Sequence, residues 1–199
     1  MTEPAAVRRP RADAARNRER ILEVANEAFR EGGLEVSVAE IARRADVGSG
    51  TLFRNFPTKA DLIHAIVEMH MNQWLEVIQR SLAAEDVGPA FDAFFERAVL
   101  FNYLDRGMLE AVKGGMLNDD PELTACKGAA LESTNKLIKH AQTAGVLRKD
   151  LNADDIYALS AGVAESAHAA VREGRADPKD AYKRYMVIVL AGMRPVPEP

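Results

Sequence analysis

The sequence is poor in features that define whole classes of protein. It contains one cysteine, Cys126, among 199 residues, so it cannot form an internal disulfide, which fits a reducing cytoplasm. No apolar run approaches the length of a membrane span. The basic start of the chain has no apolar stretch behind it, as a secretory signal would. We therefore expect a cytoplasmic protein without a membrane-spanning segment.

Strands with alternating apolar and polar residues are also missing from the sequence. Apolar residues recur instead at helical spacing, and hydrophobic residues make up 47% of the chain, which is enough for a sizeable core. Breaks rich in glycine, proline and aspartate separate the periodic segments, and one short segment is expected near residues 107–117. The sequence therefore predicts an all-α protein of about nine helices.

Charge is distributed unevenly along the chain. The net charge is −4, which by itself does not indicate nucleic acid. Between Arg8 and Arg20, however, six arginines stand against two acidic residues. Such an asymmetry indicates an anionic partner for the N-terminal end, with a solubilising tail as the alternative.

Two short amphipathic helices flank the turn at the start of "DVGSGTLFRNF", residues 46–56. Ser37 and Glu40 have the spacing of a capping box that opens the first helix. Gly48 is expected to supply a positive φ in the turn, and Ser49 to cap the second helix. Two amphipathic helices joined by a short glycine-containing turn form a helix-turn-helix.

The second helix of this motif has one apolar and one polar face. Leu52 and Phe56 are expected to point inward, which leaves hydroxyl, amide, guanidinium and aromatic groups outside. Such a surface can address both base edges and phosphates. A phosphate-binding loop is disfavoured, because no lysine follows Gly50 and no strand precedes it.

Residues 18–66, "RERILEVANEAFREGGLEVSVAEIARRADVGSGTLFRNFPTKADLIHAI", resemble the N-terminal domain of the TetR (tetracycline repressor) family. The resemblance covers the first helix, the capped second helix, the G-x-x-T-L-aromatic recognition helix and the F-x-x-K start of the fourth. It implies a homodimeric transcriptional regulator whose recognition helices enter the major grooves of a palindromic operator in double-stranded DNA.

The resemblance also assigns roles to positions in this sequence. By it, the DNA-binding residues are the base-facing Ser49, Gly50, Thr51 and Phe53, the backbone-contacting Ser37, Arg54 and Asn55, and the phosphate-binding Lys59. Members of the family commonly have tyrosine at position 53 and histidine at position 55. The phenolic hydroxyl is therefore absent here, and Asn55 offers an amide without a charge.

The resemblance divides the chain into two domains. Residues 1–57 would form the helix-turn-helix domain, with residues 1–13 as a flexible basic arm, and residues 58–199 the helical effector-binding and dimerisation domain. Arg8, Arg9 and Arg11 form either an arm that touches DNA or a disordered tail. The last two helices, within residues 155–193, are expected to form the dimer surface, because they are rich in small and apolar side chains.

Aromatic and methionine side chains on the middle helices predict a cavity for a small, largely apolar or aromatic effector, although the same residues suit a packed core. The candidate cavity residues are His70, Trp74, Phe94, Phe95, Phe101, Asn102, Met108, Met116 and His168.

No pattern in the sequence indicates a metal, a cofactor or catalysis. Glu165 and His168 share a helix face, but two groups are too few for a metal site, and no nucleophile–base pair has a supporting motif. We therefore expect no enzyme activity. Two other hypotheses remain open: a constitutive, architectural DNA-binding protein without a small-molecule switch, and a helical ligand-binding module without DNA binding.

Overall fold

The computed structural model describes residues 10–104 and 120–195, with side chains from residue 14 onward. The regular elements of these residues are helices, which confirms the all-α prediction, and the helix expected near 107–117 lies outside the described residues. The eight described α-helices are α1 (Pro10–Gly32), α2 (Val38–Arg44), α3 (Ser49–Asn55), α4 (Lys59–Leu82), α5 (Val87–Leu104), α6 (Pro121–Thr143), α7 (Ala153–Arg172) and α8 (Ala181–Met193). A 3-10 turn, Gly33–Glu35, follows α1.

The chain forms two compact units, Met1–Val67 and Glu68–Pro199. The division falls inside α4, whereas the sequence placed it before that helix, between residues 57 and 58. The physical reason is burial: Leu62 and Ile66 in the first half of α4 are fully buried. The start of this helix therefore completes the first unit.

The first unit is built on an apolar stripe of α1. Ile21, Ala25 and Phe29 recur at helical spacing and are buried, and α1 packs against α2. The chain leaves α1 through Gly33, whose φ of 68° lies in the left-handed region that glycine adopts without steric cost. The short helices α2 and α3 follow.

The second unit is built around α5, which packs against α6, α7 and α8. Phe91, Phe94 and Phe95 on α5 are fully buried in its core. The end of α8 is held by Arg194, which donates to both carboxylate oxygens of Asp92 at 2.6 Å. None of the helices in the described part of the chain is long and apolar enough to cross a membrane.

Candidate functional site

The start of α2 is fixed by one half of the predicted capping box. Ser37 Oγ accepts a hydrogen bond from the backbone N–H of Glu40 at 3.2 Å. The Glu40 carboxylate does not complete the box. It accepts instead from the guanidinium groups of Arg43 and Arg44, each through contacts of 2.8 Å. These bonds lower the pKa of Glu40 to about 2, and the bond from Arg43 has the largest effect.

The turn between α2 and α3 owes its shape to a residue other than the predicted one. Asp46 has a φ of 51°, whereas Gly48 has a φ of −68°. Aspartate tolerates the left-handed region better than most residues, because its short polar side chain can bond locally. Gly48 is the N-cap of α3 and Ser49 its first helical residue. The expectations that Gly48 supplies the positive φ and that Ser49 caps the helix are therefore wrong.

Helix α3 buries one face and exposes the other. Leu52 is 1% exposed and Phe56 2%, whereas Phe53 is 50% exposed. Arg54 Nε donates to the carbonyl of Gly50 at 3.1 Å, and Asn55 Nδ2 donates to the carbonyl of Thr51 at 2.8 Å. Both polar side chains therefore lie back along their own helix.

The start of α4 carries a complete capping box. Thr58 Oγ1 accepts from the backbone N–H of Asp61 at 3.1 Å, and Asp61 Oδ2 accepts from the Thr58 N–H at 2.8 Å. Thr58 and Asp61 thus cap this helix reciprocally. Lys59 Nζ lies 5.9 Å from the centroid of the Phe29 ring. The ammonium group is thus held against α1, in the first turn of α4.

The DNA-binding positions assigned by the resemblance cluster in the short stretch from the N-cap of α2 to the first turn of α4. The side chains of Arg8, Arg9 and Arg11 lie outside the described residues. The exposed members of the set are Ser37, Ser49, Gly50, Phe53 and Arg54, and the half-buried ones are Thr51, Asn55 and Lys59.

The second unit contains a cavity of about 470 Å³ between α4, α5, α6 and α7. Four of the predicted residues line it: His70, Trp74, Phe101 and Asn102. The rings of His70 and Phe101 meet edge to face, with centroids 5.5 Å apart. Asn102 Nδ2 donates to the Ala98 carbonyl at 2.9 Å and to Ser160 Oγ at 3.1 Å.

Several lining residues were missed from the sequence. Arg97, Lys127 and Tyr157 are among them, and the Tyr157 hydroxyl shares a 2.9 Å hydrogen bond with Thr134 Oγ1. The signal for Arg97 was present, because it precedes Phe101 by four residues and so shares its helix face. The prediction of the cavity was based on aromatic residues and methionines, and it did not include the cationic residues between them.

Other predicted cavity residues lie elsewhere. Phe94 and Phe95 are fully buried in the core and do not line the cavity. His168 lies against Tyr103, with stacked ring centroids 4.4 Å apart and Nε2 at 3.1 Å from the Tyr103 carbonyl oxygen. Helical spacing cannot separate a core face from a cavity face, since both are apolar. Met108 and Met116 lie outside the described residues.

Comparison with known families covers both units. The sequence model "Bacterial regulatory proteins, tetR family" matches residues 21–66. The model "Transcriptional regulator SbtR-like, C-terminal domain" matches residues 86–195, more than half of the chain. The chain belongs to the TetR family. It is thus a transcriptional regulator with a helix-turn-helix for DNA binding.

Solved TetR-family structures resemble the chain over nearly its whole length. A TetR transcription regulatory protein from Mycobacterium vanbaalenii is 34% identical, with a TM-score of 0.69 over 93% of this chain and 99% of that one. A TetR transcriptional regulator from Streptomyces coelicolor is 30% identical, with a TM-score of 0.70 over 90% and 99%.

Likeness to a curated relative covers a limited part of either protein. An HTH-type transcriptional regulator of Staphylococcus aureus is 39% identical over 66 residues, which are 33% of this chain and 36% of that relative. The alignment therefore spans about a third of either protein.

One further surface of this TetR-family chain stands out by its exposed apolar groups. Val187 and Ile188 on α8 are 61% and 60% exposed. Small residues on the neighbouring helix α7, Ala158 and Gly162, are exposed as well, and α7 packs against α8. Both helices thus carry exposed small or apolar side chains.

Proposed function

We propose that this chain is a cytoplasmic repressor that binds a palindromic operator as a homodimer and releases it when a small molecule occupies the cavity. The observation that carries the DNA-binding part is the exposed face of α3, where Phe53 stands half in solvent while Leu52 and Phe56 anchor the helix. An aromatic ring gains nothing from exposure to water, and its position suits contact with a partner.

In this proposal the residues of the motif divide by role. Ser49, Gly50, Thr51 and Phe53 meet base edges in the major groove, where a phenylalanine ring can contact the methyl group of thymine. The positively charged Lys59 binds phosphate at the start of a helix, where the helix dipole adds to its attraction. Ser37, Arg54 and Asn55 add contacts to the DNA backbone.

Dimerisation follows from the exposed apolar groups of α8. Two copies that meet through α7 and α8 would bury Val187 and Ile188, and the contact would have twofold symmetry. A dimer of this kind reads two half-sites related by the same symmetry, which makes the operator palindromic.

Helix α4 supplies a physical route for release. It carries Lys59 near one end and the cavity residues His70 and Trp74 further along. A ligand that shifts the second half of α4 would change the spacing of the two recognition helices. A preference of a few kcal/mol for the off-DNA geometry is enough to release an operator. The cavity favours this switch over a constitutive, architectural role, for which a fully packed second unit would serve.

Selection of genomic fragments by the purified protein, followed by titration of the best fragment, tests the proposal. We expect Phe53→Ala to weaken specific binding about tenfold and Lys59→Gln to reduce the slope of log affinity against log salt by about one. Lys139→Gln, an exposed change on α6, is the matched control and should alter neither. Equal affinity of the wild-type protein for selected and random fragments would refute sequence-specific operator binding and support the architectural alternative.

A further inference from the structure

The cationic side chains of the second unit differ in how their charge is compensated. Among the described residues of this unit, the half-buried cations are Arg97, Lys127, Arg148 and Arg194. Arg148 donates to the Asp150 carboxylate at 2.7 Å, and Arg194 to that of Asp92 at 2.6 Å.

Arg97 and Lys127 have no such carboxylate partner among the residues that the structure describes. No carboxylate of the described residues lies within 4.0 Å of either cation, and the hydrogen bond of Arg97 is to the neutral Gln73 Oε1 at 3.5 Å. Both line the cavity, and no aspartate or glutamate stands among its described lining residues.

The partial burial of Arg97 and Lys127 gives weight to the absence of a carboxylate partner in the described part of the chain. A cation that leaves bulk water loses hydration free energy, and proteins usually compensate with a carboxylate or hydrogen bonds. Here two cationic residues line one cavity whose remaining described walls are mainly apolar or aromatic, with Trp74, Phe101 and Leu131 among them. The arrangement has the polarity of a site for an anion attached to an apolar body.

We propose that the effector is an organic anion, with a carboxylate or similar head group bound by Arg97 and Lys127 and an apolar or aromatic body against Trp74 and Phe101. The guanidinium fork of Arg97 can donate two parallel hydrogen bonds to a carboxylate, and Lys127 adds a point charge. This deepens the proposed ligand-sensing function and rests on it, and it narrows the largely apolar or aromatic effector to an amphipathic acid.

The single tryptophan of the chain makes the cavity directly observable, because Trp74 lines it. Quenching or shift of its fluorescence therefore reports ligand entry without DNA. The probes are matched pairs of an acid and its neutral amide: 4-phenylbutyrate with 4-phenylbutyramide, and the straight-chain acids from hexanoate to dodecanoate with their amides. We expect at least one acid to bind about tenfold tighter than its amide.

Two substitutions assign the selectivity to the cations. Arg97→Gln and Lys127→Gln should each weaken binding of that acid about tenfold, while binding of the amide changes less than about twofold. Arg97→Lys keeps the charge and should retain part of the affinity. Lys139→Gln removes an exposed charge from the same helix as Lys127 and should leave both affinities unchanged. An unaltered helical circular dichroism spectrum shows that each variant is folded.

The outcomes separate this proposal from the function on which it rests. It is overturned if no acid of the panel binds, if the amides bind as tightly as the acids, or if the charge-removing variants keep full acid selectivity. Acid binding that leaves operator affinity unchanged would refute the switch and support the anion site. Operator release by neutral compounds alone would support the switch and overturn the anion site.

Discussion

Asp46 sets the backbone geometry of the turn that aims α3. Its φ of 51° is the one left-handed value among the described non-glycine residues. We expect Asp46→Val to lower the free energy of unfolding by about 1–2 kcal/mol, because a β-branched side chain fits this region poorly. Asp46→Gly should leave the free energy of unfolding unchanged or raise it, since glycine adopts the conformation freely. Urea denaturation of the purified variants measures both changes.

Gly48 is the matched control for this prediction. Its φ is −68° and no atom lies within 4 Å of the place where a Cβ would stand. Gly48→Ala should therefore change the free energy of unfolding by less than about 0.5 kcal/mol. A large decrease in the free energy of unfolding for Gly48→Ala, together with no decrease for Asp46→Val, would mean that the turn has a different geometry.

At the scale of the element, α2 carries a glutamate whose carboxylate accepts hydrogen bonds from two arginines of the same helix. Glu40 accepts from Arg43 and Arg44, and Arg44 Nη1 also donates to Glu31 on α1 at 2.6 Å. These bonds lower the pKa of Glu40 from 4.5 to about 2. Because the folded-state value is the lower one, the contribution of Glu40 to stability is present above pH 4.5 and is lost as the pH falls towards 2.

Carbon-13 NMR titration of the side-chain carboxyl groups tests this assignment, with Glu40→Gln to identify the resonance. We expect Glu40 to titrate near pH 2 in the folded protein and its pKa to rise in Arg43→Gln, which removes the bond with the largest effect. The free energy of unfolding should fall more steeply below pH 4.5 in the wild type than in Glu40→Gln. Titration of Glu40 at its ordinary value would show that the arginines point elsewhere in solution.

Element positions were predictable from the sequence because they depend on local signals. Helical spacing and the Ser37 cap act within a few residues, and each indicated a helix where one lies. The prediction for the turn was wrong because it assigned the left-handed conformation to a glycine, although aspartate also tolerates that conformation.

The composition of the cavity was only partly predictable, since it depends on how helices distant in sequence pack together. Spacing placed Phe94 and Phe101 on one helix, yet Phe94 is fully buried in the core and Phe101 faces the cavity. Nothing in the sequence near Lys127 on α6 indicates that it shares a cavity with Arg97 on α5. Contacts of this kind are set by tertiary structure.

At the scale of the whole molecule, the proposed dimer depends on the exposed face of α8. The double variant Val187→Glu, Ile188→Glu places two charges at positions that are 61% and 60% exposed. Substitution there should change the stability of an isolated subunit by no more than about 0.5 kcal/mol, whereas two charges buried at an interface without partners prevent association. We therefore expect a dimer of the wild type and a folded monomer of the variant in sedimentation experiments at micromolar concentration.

Loss of the dimer should also remove operator binding, because one subunit then contacts one half-site and the second set of contacts becomes a separate binding event. Ala93→Glu is the matched control, since it adds a charge at an exposed position of α5 and should remain dimeric with full affinity. A monomeric wild type, or a double variant that is still dimeric, would exclude this face of α8 as the interface. A monomeric variant with unchanged operator affinity would instead show that a single recognition helix is sufficient for operator binding. That result would contradict the proposal of a palindromic operator.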